Sequence, residues 1–152
     1  MAESLHKDFR EFLEHLIKHK VIFMIIGGYA VSWHGHSRNT EDIDVWIDPS
    51  FDNIQRTIVA MNDFFGEGFI DMTPDRFLET KVKQIGTPPW RVDILVSVTG
   101  LDFATAFPNH EKWLVGDSEF PIISLPDLRI AKKAAGRPKD LADLHDYLPP
   151  EN

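Results

Sequence analysis

Along the first twenty residues the apolar positions Leu5, Phe9, Phe12, Leu13, Leu16 and Ile17 recur at intervals of three and four, with charged residues between them. That spacing places them on one face of a helix running from about residue 4 to residue 20. The pattern then changes. Residues 21–26, VIFMII, are apolar throughout and predict a short buried strand, stopped by Gly27 and Gly28. A second short helix fits residues 29–36. In DIDVWID, residues 42–48, Ile43, Val45 and Ile47 fall on one side and Asp42, Asp44 and Trp46 on the other, the period of two that a strand imposes. Helical spacing returns with Phe51, Ile54, Ile58, Met61 and Phe65, and Gly66 and Gly68 end it.

The second half continues the alternation of element types. KVKQIGTPPWRVDILV predicts two strands joined by a Gly-Thr-Pro-Pro turn, with Val92, Ile94 and Val96 opposite Arg91, Asp93 and Leu95. EKWLVGDSEFPIIS predicts a hairpin turning at Gly116 and Asp117. Ser124, Pro126 and Asp127 form a helix-start signature for LPDLRIAKKAA, and Gly136 and Pro138 separate that helix from a last short one, KDLADLHDYL. Interleaved strands and helices without repeats or linkers predict a single α+β domain over residues 1–152. Its expected form is a twisted mixed sheet with helices covering one face and an acidic cleft on the other.

Composition narrows what such a domain does. The chain has 152 residues, 43% of them apolar, enough to bury a core of its own. It has no cysteine, which excludes disulfides and thiolate-bound zinc. The longest apolar run is the VIFMII stretch, far short of the roughly 20 residues that span a bilayer, and the first residues are charged rather than leader-like. The expectation is a soluble, cytoplasmic protein with no membrane partner. A net charge of −8 argues against broad nucleic-acid binding, which depends on basic surface, while leaving room for a small phosphorylated ligand or one structured RNA.

The candidate chemistry lies in carboxylates and glycines. Asp42 and Asp44 share one side of a strand, and Asp93 lies on a later strand able to pair beside it. Three carboxylates in one place repel one another, and a hard divalent cation, which takes oxygen ligands and keeps company with substrate phosphates, offsets that repulsion. Gly27 and Gly28 lack Cβ atoms, so the backbone there can approach a phosphate, and the N-terminus of the following helix offers unpaired N–H groups. For each feature taken alone, a simpler role competes: a strand-ending turn for the glycines and a solvated strand face for Asp42 and Asp44.

Ile26-Gly27-Gly28, thirteen residues, then Asp42-Ile43-Asp44-Val45 resembles the signature of the DNA polymerase beta-like nucleotidyltransferase superfamily, with Asp93 in RVDIL where the family's third carboxylate lies. The C-terminal IAKKAAGRPKDLADL resembles the AbiEii-like toxin branch and its small relatives. The resemblance implies Mg²⁺- or Mn²⁺-dependent transfer of a nucleoside monophosphate from an NTP to RNA or tRNA, a protein or a small molecule, in a chain that has an antitoxin partner if it is the toxin of such a pair. It implies that Asp42, Asp44 and Asp93 hold metal, with Asp93 alternatively a general base, that Gly27 and Gly28 seat phosphates, and that Lys132 neutralises the departing pyrophosphate. Arg38 is a second phosphate candidate, because a guanidinium suits bidentate contact. Thr40 is a further candidate, as are Asp140 and Asp143, which match the branch's last acidic motif without a derivable role.

Two features stand apart from this pattern. Tyr29 follows the glycine pair where many members carry Ser or Thr, and the C-terminal helical region of the toxins is missing. A non-catalytic nucleotide-sensing or partner-binding descendant is therefore the competing expectation. His34 and His36 are two apart rather than four, so surface or capping roles suit them better than ligation. Lys132 has the simpler role of a cation in a helix's last turn, Arg38 that of a partner to Glu41 or Asp48, and the four tryptophans that of core or core-edge aromatics.

Overall fold

A computed structural model describes residues 5–37 and 39–151. Helix α1, Lys7–Lys18, is capped by His6, whose ring accepts the Asp8 N–H, and it buries Phe9, Phe12, Leu13 and Leu16. Ile17, placed on that face by spacing, is 45% exposed. Strand β1, Phe23–Ile26, is buried along its whole length, as its unbroken apolar run requires. Helix α2, Gly27–His34, begins two residues earlier than its sequence pattern, so the glycine pair opens the helix rather than preceding it. Strand β2, Asp42–Ile47, and helix α3, Phe51–Phe65, follow, with Ser50 capping α3 by accepting the Asn53 N–H.

A short helix α4, Pro74–Leu78, precedes strands β3, Val82–Ile85, and β4, Arg91–Leu95. A second short helix, α5, Phe103–Ala106, leads to the hairpin of β5, Glu111–Val115, and β6, Ser118–Ile122. Both α4 and α5 are only about one turn long; α4 opens on a capping signal, Thr73-Pro74-Asp75, in which Thr73 accepts the Arg76 N–H, whereas α5 has no side-chain cap. Helix α6, Leu125–Ala135, starts at Ser124, which accepts the Asp127 N–H. Helix α7, Pro138–Ala142, runs on into a wider π-type turn over Asp143–Tyr147.

The six strands form one open mixed sheet in the order β3-β4-β2-β1-β6-β5. β2 is central, antiparallel to β1 and parallel to β4. The chain passes through α3 and α4 to the end of the sheet where β2 finished, β3 carries it back, and the turn at Gly86 starts β4 parallel to β2. Both faces of β2 are covered, which corrects the expectation of helices on one face only. Ile43, Val45 and Ile47 are fully buried on one side, and on the side of Asp44 the Trp46 indole is also buried, edge-on to Phe103 of α5 at 5.2 Å. The acidic face is thus open only at the end where β2 and β4 begin. Among the described residues no helix is long and apolar enough to cross a membrane.

Asn53 ties the other end of the sheet to α3. It is fully buried, accepts the Ile22 N–H at 2.8 Å, and donates to the carbonyls of Ile22 at 3.0 Å and Asp48 at 2.8 Å. Those two residues flank β1 and β2, so one amide satisfies the backbone where both strands end. Asn53→Ala removes the partner of the Ile22 N–H and of the Asp48 carbonyl, leaving the Ile22 carbonyl its bond from the Asp48 N–H, and is expected to lower stability by roughly 1–3 kcal/mol in urea melts, with the slope of the transition unchanged.

Candidate metal and phosphate centre

The site follows from strand register. Asp44 pairs with Asp93, and Asp42 with Arg91, across the parallel β2–β4 ladder, while Ile26 pairs with Asp44 from β1. Paired residues project to the same face, so Asp42, Asp44, Arg91 and Asp93 form a two-by-two block. One carboxylate oxygen from each of Asp42, Asp44 and Asp93 lies within 4.8 Å of the others, and Asp93 is buried. A cation with oxygen ligands at about 2.1 Å spans roughly 4 Å between opposite oxygens, so this group is close to a bonded arrangement. The three aspartates are therefore able to hold a metal ion.

The electrostatics carry the mark of that crowding. Burial, then the charges of Asp42 and Asp93, then a hydrogen bond with Asp93 push the Asp44 carboxyl up to about 8, with Lys132 pulling the other way. Arg91 supplies the nearest compensation. Its Nη2 donates to Asp42 Oδ2 at 3.0 Å and to Asp93 Oδ2 at 3.1 Å. Its Nε stands 3.0 Å from Asp93 Oδ1 but off line, so both atoms are buried without a hydrogen bond. Sequence reasoning put Arg91 on the same side of its strand as Asp93 and assigned it no role. The signal that identifies it is the pairing of RVD with DID, which sets Arg91 beside Asp42.

Gly27 borders the carboxylates. It has φ +70°, and a Cβ there would lie 1.9 Å from Asp44 Oδ2 and 2.9 Å from Asp44 Cβ. The space a side chain would take belongs to Asp44, so the first turn of α2, which has no side-chain cap, abuts a carboxylate. Gly28 is buried within that turn. Tyr29, the next residue, points into the core, 4% exposed, its ring 6.0 Å from those of Phe9 and Trp113.

Lys132 approaches from α6. It is 8% exposed, with Nζ 2.9 Å from Asp143 Oδ2 and 3.3 Å from Asp140 Oδ1, and its charge reaches Asp44. Asp140 is in turn gripped by Arg137, Nε to Oδ2 at 2.6 Å and Nη2 to Oδ1 at 3.2 Å. Burial works to raise the Asp140 carboxyl, but the Arg137 hydrogen bond and the Lys132 charge outweigh it and hold the group below the ordinary carboxylate range. Asp140 and Asp143 thus acquire a role that sequence did not reveal: they hold the Lys132 side chain beside the triad.

The remaining candidates separate. Arg38 lies outside the described residues. Thr40 has a polar partner and is set on the loop before β2. His34 is partly buried, its Nε2 2.7 Å from the Ile123 carbonyl, and His36 is exposed, so neither joins the triad. Trp113 and Trp46 are core, whereas Trp90 is 50% exposed with its ring 3.9 Å from that of His6. A surface hollow lined by His19, Asp52, Gln55, Arg56 and Val59 lies elsewhere and contains no residue of the triad. No protein-family profile matches the chain, and no curated protein matches it in sequence.

Two outcomes test this geometry. The Asp44 carboxyl titrates near 3.8 when unfolded and near 8 when native, so between those values the native state binds a proton that the unfolded chain has lost. Its stabilising contribution is complete below the lower value and disappears as pH rises to the upper one. The melting temperature of metal-free protein is therefore expected to fall from about pH 5 to about pH 8, and Asp44→Asn to flatten that limb. Separately, Gly27→Ala is expected to cost about 2 kcal/mol through its left-handed backbone alone and to displace the Asp44 carboxylate. The displacement is read as loss of divalent-ion binding in calorimetry.

Proposed function

We propose that this chain is a Mg²⁺-dependent nucleotidyltransferase that moves a nucleoside monophosphate from an NTP to an acceptor, in the manner of the polymerase beta-like superfamily its motifs resemble. The observation that carries the reading is the convergence of Asp42, Asp44 and Asp93 beside Gly27 and Lys132. The donor set fits the ion: all three ligands are hard oxygens, Asp93 Oδ1 is buried without a hydrogen bond, and burial together with the charges of Asp42 and Asp93 raises the Asp44 carboxyl to about 8. Asp42, Asp44 and Asp93 would hold Mg²⁺, which when bound would supply charge neutralisation for the triphosphate.

The chain's own groups do the rest. The N-terminal turn of α2 offers amides to phosphate oxygens, and Gly27 keeps that approach free of a side chain. Lys132, fixed by Asp140 and Asp143, balances negative charge on the departing pyrophosphate. On this reading Asp93 accepts the proton of an attacking hydroxyl, whose oxygen forms the new bond to phosphorus as the bond to pyrophosphate breaks. The acceptor belongs to RNA or tRNA, a protein or a small molecule, and an antitoxin partner follows if the chain acts as a toxin.

A second reading, a nucleotide-sensing module without catalysis, draws on Arg91, which already pairs with two of the three carboxylates, and on the Tyr29 ring being committed to the core. The two part in one experiment. With each labelled NTP, Mg²⁺ and total RNA, the enzyme reading expects label to be incorporated, and Asp44→Asn to reduce the rate by roughly two orders of magnitude or more. Binding of NTP with no label in RNA, in protein or in small molecules establishes the sensing module instead.

A further inference from the structure

Arg91 occupies the carboxylates in a manner that bears on how the metal arrives. Both oxygens of Asp93 and one of Asp42 lie 3.0–3.1 Å from its guanidinium. An ion bonded to Asp42, Asp44 and Asp93 together draws on the same oxygens and places a second positive charge against the first. Yet the grip is incomplete. The Nε–H misses Asp93 Oδ1, so the fork is seated through Nη2 alone while an N–H and a carboxylate oxygen remain buried and unpaired. The Arg91 side chain is 30% exposed, against 8% for Asp93, so its path outward toward solvent is open where that of Asp93 is not. A fully bidentate, enclosed arginine would be a permanent structural ion pair; this one is held by part of its geometry.

We infer that Arg91 is an exchangeable internal cation: its guanidinium neutralises Asp42 and Asp93 in the metal-free protein, and it is released to the triphosphate when a divalent ion enters. This rests on the metal-site reading given above and deepens it. Three consequences follow from charge. The carboxylates stay gathered without metal, because removing the arginine would leave buried negative charges uncompensated. Bare metal binds weakly, since its apparent affinity is reduced by the fraction of molecules in which Arg91 is disengaged. Metal arriving with an NTP binds better, because the triphosphate offers the displaced guanidinium a new bidentate partner. The chain thus favours the ion and nucleotide together over the ion alone.

The test is binding rather than turnover. Mn²⁺ is titrated into nucleotide-free wild type and Arg91→Gln, with free Mn²⁺ read by its paramagnetic resonance signal. Arg91→Gln is expected to bind Mn²⁺ about tenfold or more tightly, the gain that corresponds to an arginine engaged in nine molecules of ten. It is also expected to show a lower metal-free melting temperature and a larger rise on adding Mn²⁺. Binding of the Mg²⁺ complex of a non-hydrolysable NTP is expected to weaken in the same variant. Opposite changes for ion and nucleotide are the signature, because a purely structural role would weaken both. Arg91→Lys, which keeps the charge but not the fork, is expected to fall between and serves if the glutamine variant does not fold. Wild type that binds Mn²⁺ with the variants binding it no more tightly overturns the exchange and leaves the metal site standing. Wild type and variants that all fail to bind Mn²⁺, with or without NTP, overturn the metal site itself and this inference with it.

Discussion

The parallel pairing of β2 with β4 in the register Asp44 to Asp93 is the constraint on which the rest depends. Backbone hydrogen bonds set it, and burial of Ile43, Val45, Val92 and Ile94 on the opposite face locks it, since a slip of either strand by one residue would send its own two apolar side chains toward the acidic side. Hydrophobic burial on one face therefore forces like charges together on the other. The sheet is stable despite the carboxylates, and the tension at this end of it is a by-product of packing that the other end, stitched by Asn53, does not share.

Compensation for that tension is graded by distance from the cluster. Arg91, from the same sheet, touches two of the carboxylates directly. Lys132, from a helix, reaches Asp44 only through space, and its ammonium is spoken for by Asp140 and Asp143. Counting Arg137, the outer group is two cations and two anions, neutral in itself, whereas the inner group of Asp42, Asp44, Asp93 and Arg91 is short of positive charge when all three carboxylates ionise. The deficit is located in the inner group, and Asp44 meets it by holding a proton. A divalent ion would meet it without one.

Much of this was legible from residue order. Period-two alternation identified β2 and β4 and assigned Asp42, Asp44 and Asp93 to their correct sides, because each strand has one face that must be wholly apolar. Capping signals found α6, since Ser124 acts through its immediate neighbour Asp127. What escaped were relations between distant segments. Trp46 lies on the side alternation calls polar, and only Phe103, 57 positions on in a helix of one turn, makes that side a buried one. Asp140 and Asp143 read as the polar face of a last helix until Lys132, eight and eleven residues earlier, is brought against them. Tyr29 looked like a missing phosphate hydroxyl because the local pattern places it after the glycines; the helix begins at Gly27, and that rotates Tyr29 toward Phe9.

One closed path through the fold fixes the distance between its two charged groups. Asp44 fills the space at Gly27, where α2 begins. The far end of α2 is held by the chain's last turn: the His36 N–H donates to the Tyr147 carbonyl at 2.8 Å, and Gly35 lets that carbonyl come so near that a Cβ would lie 1.9 Å from it. The same turn carries Asp143, which binds Lys132, whose charge returns to Asp44. Every link but the last, which acts through space, is a short contact or a helix, so Lys132 is set relative to the triad by α2 acting as a strut about 12 Å long. The glycines at 27 and 35 serve the same end from opposite sides, each removing a side chain where another part of the loop must close. The HGH sequence thus takes part in the site after all, through the glycine between its histidines rather than through the imidazoles.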